Sequence, residues 1–181
     1  MMNYESIKET IQKLRTSDLD VFSDGKLKWA PVPLFQHNIE KFEIFDITKD
    51  VPEGFRLPTK AECEELCQNH PFYLKTLSDE EEKFYAHALD SRNAYVFRND
   101  LRMEIATREI FDDWSGFMYS PFVYLEETRK EVLKKRTDES LKFFSYSEIC
   151  YDIANKKFYE HIDWRVSRTL ILIKIDNKNK D

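Results

Sequence analysis

Three side chains with an affinity for metal recur on one prospective helix face. Cys63, Cys67 and His70 stand at i, i+4 and i+7, within about 60° of one another at ~100° per residue. Two thiols and an imidazole so placed could hold zinc, with Cys150 as a fourth ligand. The same positions suit a core, because a reduced cysteine packs as a small apolar side chain. Zinc sites also favour cysteines two residues apart in a tight loop, and Pro71 ends the helix beside His70. The expectation is no resident cofactor, with a zinc-stabilised structural domain as an alternative.

Other residues could do acid–base work or bind a ligand. His161, in "EHIDW", has Glu160 and Asp163 on either side, which favours its charged form. With the acids at 112–114, it is the raw material of a small hydrolase. Asp112 and Asp113 beside Trp114 set carboxylates against a flat ring, a pattern that meets a cation or a sugar; it also suits a simple turn, with Asp accepting backbone amides. "RKEVLKKR" places Arg129, Lys130, Lys134, Lys135 and Arg136 within eight residues. Such a run could engage phosphate or an acidic partner, or it could be a solvated helix face. His37 and His87 have no partner at ligand spacing. The chain contains no G-x-S-x-G, no H-E-x-x-H and no Gly-rich phosphate loop, its three glycines being isolated.

The elements that must position these residues follow from periodicity. Tyr4, Ile7, Ile11 and Leu14 line one face and predict a helix over 4–15. "KLKWAPV" (26–32) and "KFEIFDI" (41–47) alternate and predict strands, with a turn at Ser23–Gly25 between the first helix and the first strand. In 51–69, "VPEG" is a turn, "FRL" is extended, and Pro58 keeps Leu57 out of helical geometry. Thr59 and Glu62 then form a capping box for a helix to about Asn69. Ser78 and Glu81 repeat the box for a helix over 79–89 whose acidic first turn suits the helix dipole. From residue 93 onward short strands are expected in "NAYVFRN", "RMEIATREIF" and "GFMYSPFVYLEE", with turns at Asn99–Asp100 and Asp112–Gly116. Residues 128–140 fit a helix, a hairpin or a loop. "RTLILIK" (168–174) reads as one buried strand, and the last six residues as a frayed polar tail. Helices and strands segregate along the chain, so the expectation is a single α+β domain over 1–181.

Composition bounds the function. Of 181 residues, 41% are hydrophobic and 34% charged, enough apolar material for a core and too much for disorder. A formal charge of −6 argues against a broad grip on nucleic acid, which needs a basic surface. No apolar run is long enough to span a membrane, and the N-terminal residues lack a signal-peptide pattern. Three cysteines, an odd number, read as reduced thiols, so a cytoplasmic setting is expected.

"GFRLPTKAECEEL" resembles a signature of bacterial C-type-lectin-like domains. One branch is the sulfatase-modifying group and another carries a G-W-R-L-P-T motif. The matching residues are Gly54, Phe55 (aromatic, for the usual Trp), Arg56, Leu57, Pro58, Thr59, Ala61, Glu62, Glu65 and Leu66. "GKLKWAPV" is similar to that family's early Trp-bearing strand, "DDWSGFMYS" to its Trp-Ser segment, and Arg165 or Arg168 to its late arginine. The resemblance implies that the strand at "KLKW" pairs with that at "TLILIK". It also implies a bacterial or phage origin. The metal ligands and paired cysteines of the sulfatase-modifying enzymes have no counterpart here. The favoured expectation is a non-catalytic binding module for another macromolecule, most simply a protein, as an inhibitor or adaptor. A small hydrolase built on His161 is the rival.

Overall fold

The computed structural model describes residues 19–32, 49–89, 91–108, 110–112, 116–118, 121–136, 148–162 and 168–176. The helix expected over 4–15, the strand expected over 41–47 and the polar tail beyond 176 lie outside them.

Four sheets and three helices make up the described part, an α+β arrangement. The first sheet runs in the order β1 (Phe22–Ser23), β2 (Lys28–Pro31), β13 (Ile171–Lys174), β3 (Phe55–Arg56), all antiparallel. The second runs β11 (Lys157–Ile162), β10 (Glu148–Asp152), β9 (Phe122–Tyr124), β12 (Arg168–Thr169), with β12 parallel to β9. The third is β4 (Tyr73–Leu74), β5 (Ala94–Arg98), β6 (Glu104–Arg108), and the fourth is the hairpin β7 (Ile110–Asp112) and β8 (Gly116–Met118). The helices are α1 (Lys60–Asn69), α2 (Asp79–Ala88) and α3 (Glu126–Arg136).

Both expected capping boxes form. Thr59 and Ser78 accept the amides of Glu62 and Glu81, whose carboxylates take the Thr59 and Ser78 amides in return. Each box satisfies two donors that the first helical turn would otherwise leave without a partner. The expected pairing of early and late strands is present too: Trp29, Ala30 and Pro31 oppose Ile173, Leu172 and Ile171.

Three elements differ from expectation. The stretch 168–174 divides at the buried Leu170 into β12 and β13, which join different sheets. Its unbroken apolar run reflects burial on both faces, which hides the change of partner. Glu126–Glu127, expected to end a strand, open α3 instead. There the buried Thr128 hydroxyl accepts the Leu125 amide at 3.1 Å and the two acids face the positive end of the helix dipole. Residues 148–162, left unassigned by pattern, form the β10–β11 hairpin. Its turn is drawn in by the buried Asp152 carboxylate, which accepts the Ala154 and Asn155 amides at 3.0 and 2.9 Å.

Two apolar clusters flank the first sheet. Trp29, Ile171 and Ile173 face one, with α1, Val123, Tyr151, Phe97 and Met103. Ala30, Leu170 and Leu172 face the other, with Leu57 and Tyr124. Alternate residues of β2 and β13 thus enter opposite cores, as the period of two in a strand requires.

Candidate functional cleft at the loop-to-helix joint

The resemblance-bearing stretch folds into a charged knot. Arg56 Nη1 donates to Glu62 Oε2 at 2.9 Å and Nη2 donates to Oε1 at 2.6 Å. The same Oε2 accepts the Thr59 amide at 2.8 Å. Arg56 Nη1 also reaches the Leu57 carbonyl at 3.2 Å. Burial pushes the Glu62 carboxyl up, but the Arg56 hydrogen bonds and the Thr59 amide outweigh it and hold the group below its ordinary value. Glu62 is therefore an anion at neutral pH, committed to Arg56 and the cap.

α3 is fastened to this knot. The Glu126 amide donates to the Pro58 carbonyl at 2.8 Å, and the Lys60 amide donates to both Glu127 oxygens at 3.1 and 3.2 Å. A carboxylate from α3 thereby sits at the first turn of α1, where the dipole favours it. Arg129 Nη1 lies 3.1 Å from Glu126 Oε1.

Between the joint and α3 lies a cleft of about 640 Å³. Val51, Pro52, Phe55 and Leu57 give it apolar wall, Lys49, Arg56 and Arg129 give cations, and Glu53, Glu62 and Glu126 give anions. Its size falls within the range of small-ligand and side-chain pockets, ~300–1,000 Å³. Thr59 supplies a hydroxyl, but that group serves the helix cap. Such a lining presents charge of both signs beside apolar area.

Of the candidate binding residues, Arg129 reaches the cleft. Lys130 and Lys134 are exposed further along α3, and Lys135 and Arg136 belong to its last turn. Asp112 ends β7, whereas Asp113 and Trp114 lie outside the described residues. His161 stands on β11; Asp163 and Arg165 lie outside the described residues, and Arg168 begins β12.

The cysteine face turns inward. Cys63 and Cys67 are buried in the larger core and Cys150 is buried in β10. The Cys67 thiol donates to the Ile153 carbonyl at 3.5 Å. Burial pushes the Cys63 thiol well up and the Cys67 thiol up to about 12, so both stay protonated near neutral pH in the folded chain. His70 is the C-cap of α1, with φ −135°, so it leaves the helical register of the cysteines, and its Nδ1 lies 2.8 Å from Asp100 Oδ1. Among the described residues no three His, Cys, Asp or Glu side chains are grouped to hold a metal.

Of the residues that line the cleft, sequence reasoning named Arg129 alone for binding and missed the others, among them Lys49, Val51, Glu53 and Glu126. The first three flank the Gly54 turn, and their grouping depends on α3, whose start was read as strand. The acid pair before Thr128 was the available signal.

No protein-family model, curated protein or solved structure matches this chain. Among the described residues no helix is long and apolar enough to cross a membrane.

Proposed function

We propose that this chain is a non-catalytic binding module, and that the cleft at the loop-to-helix joint receives an acidic, partly apolar segment of a partner protein. The observation that carries the reading is the setting of Arg129. It lines the cleft with Lys49 and Arg56, beside Val51, Pro52 and Phe55, and begins the basic stretch of α3. Arg129 already pairs with Glu126, yet a guanidinium has five N–H donors and can take a second carboxylate. The partner's apolar side chain would cover Val51 and Phe55 while its acids meet Arg129 and Lys130. The resemblance of Gly54–Leu66 to the lectin-like motif supports a binding role, as does the β2–β13 pairing that such a fold would bring. A cytoplasmic inhibitor or adaptor is the setting in which an acidic, reduced-thiol chain of this kind would act.

A photo-crosslinking amino acid placed at Glu53 in the full chain tests this inside the native host. The reading expects a discrete adduct with one other protein, and loss of that adduct in Arg129→Glu. No adduct, or one indifferent to Arg129→Glu, would remove the cleft from consideration.

A further inference from the structure

A second cleft, of about 300 Å³, lies where α2 and the β5–β6 hairpin meet the first sheet. Phe22, Pro31, Val32, Phe84, Ile105 and Ala106 form its apolar lining, and Asp20, Arg102 and Glu104 supply charge. Phe84 is 58% exposed, an uncommon place for a ring in a water-facing helix, and its edge rests on Tyr85 with centroids 5.3 Å apart.

Arg102 is the unusual member. Its φ is +66°, a region that residues with a Cβ enter at a steric cost and glycine enters freely. The hairpin is held by Asn99, whose Oδ1 accepts the Leu101 and Met103 amides at 3.1 Å each. The turn therefore needs a left-handed residue at 102 but has no need of an arginine. Among the described residues the Arg102 guanidinium makes no hydrogen bond or ion pair. Glu104 differs: Lys75 Nζ holds it at 2.9 Å and Arg98 stands 3.7 Å away. Among the described residues that line this cleft, Arg102 is the cation and Asp20 the anion without an ion-pair partner, on an apolar surface at the lower end of small-molecule size.

We propose that this cleft binds a free α-amino acid with an apolar side chain. The carboxylate meets Arg102, the ammonium meets Asp20, and the side chain covers Phe84, Val32 and Ile105. A simple carboxylate would leave Asp20 facing an anion, and a simple amine would leave Arg102 unmet, so the zwitterion fits the pair. This site is separate from the cleft at the joint and stands whether or not that cleft holds a partner.

L-Phenylalanine, 3-phenylpropionate and phenethylamine, titrated into the full chain and followed by NMR, provide the test. Phenylalanine is expected to shift the Val32, Phe84 and Ala106 signals saturably, and each half-ligand to bind roughly tenfold more weakly. Arg102→Gly is expected to raise the unfolding midpoint, because strain is relieved, while weakening phenylalanine roughly tenfold and leaving phenethylamine unchanged. Arg102→Gln keeps the backbone strain and removes only the charge, so it should weaken phenylalanine equally. Failure of phenylalanine to saturate those signals would overturn the proposal. So would a half-ligand binding within about threefold of it, or unchanged phenylalanine binding in both variants.

Discussion

Arg56 grips Glu62 through both terminal nitrogens, at 2.9 and 2.6 Å, while the same carboxylate caps α1 by accepting the Thr59 amide at 2.8 Å. One acid therefore ties β3, the Pro58 turn and the helix start together. Glu62→Ala is expected to cost about 1–2 kcal/mol, and Thr59→Ala about 1 kcal/mol. Because the two share one cap, the double variant should fall short of the sum by ~0.5 kcal/mol or more. Urea unfolding of the four proteins measures this. Strict additivity would show that the box and the ion pair act separately.

The same carboxylate makes part of the stability depend on pH. Burial raises the Glu62 carboxyl, but Arg56 and the Thr59 amide more than compensate, so its folded value lies below the unfolded one. A group depressed in this way contributes fully above the unfolded value, ~4.3, and loses its contribution as pH falls through the folded value. The stability gap between the native protein and Glu62→Gln should be flat near neutrality and shrink below about pH 4. A gap unchanged down to acid unfolding would contradict the linkage.

The thiols should be inert while the chain is folded. Burial pushes Cys63 well up and Cys67 to about 12, and Cys150 is equally enclosed. Reaction with a disulfide reagent near pH 8 should be slow in the native protein, with all three thiols reacting in denaturant. Addition of a chelator should leave the unfolding midpoint unmoved. Fast labelling of Cys63, or a chelator-induced drop in the midpoint, would return the cysteine face to the list of possible sites.

Burial in the two cores gives a contrast between leucines. Leu172 is 0% exposed on β13 opposite Ala30, whereas Leu133 on α3 is 39% exposed. Leu172→Ala should cost about 2–5 kcal/mol, and Leu133→Ala less than about 0.5 kcal/mol. Comparable losses at the two positions would mean that α3 packs against something that covers Leu133.

What the sequence disclosed was local. Thr59–Glu62 and Ser78–Glu81 were legible because a capping box is written within four residues. The β2–β13 partnership was anticipated only through the family resemblance, because pairing across so long a separation leaves no local mark. The break at Leu170 was illegible for a related reason: "TLILI" is buried on all sides, and an unbroken apolar run carries no period to show where one sheet ends. His70 leaves the register of the cysteines at the C-cap, where Pro71 already signalled the end of the helix. The cleft itself was hidden, since Glu53, Arg56 and Arg129 come together only when α3 docks on Pro58 and Lys60.

Gly54 sets the wall of that cleft, and its replacement separates backbone strain from packing. The Phe55 amide donates to the Pro52 carbonyl at 3.1 Å, with Gly54 at φ +82°, the third position of a type II turn. Its carbonyl accepts the Ile175 amide at 2.8 Å, which ties the turn to the end of β13. A Cβ added at Gly54 would meet nothing within 4 Å, so space is available and only the dihedral resists. Gly54→Ala should therefore cost about 1–2 kcal/mol, and Gly54→Asn less, because asparagine tolerates positive φ. Thermal unfolding ranks the three. Equal losses for alanine and asparagine would show that tolerance of positive φ does not set the cost at this position.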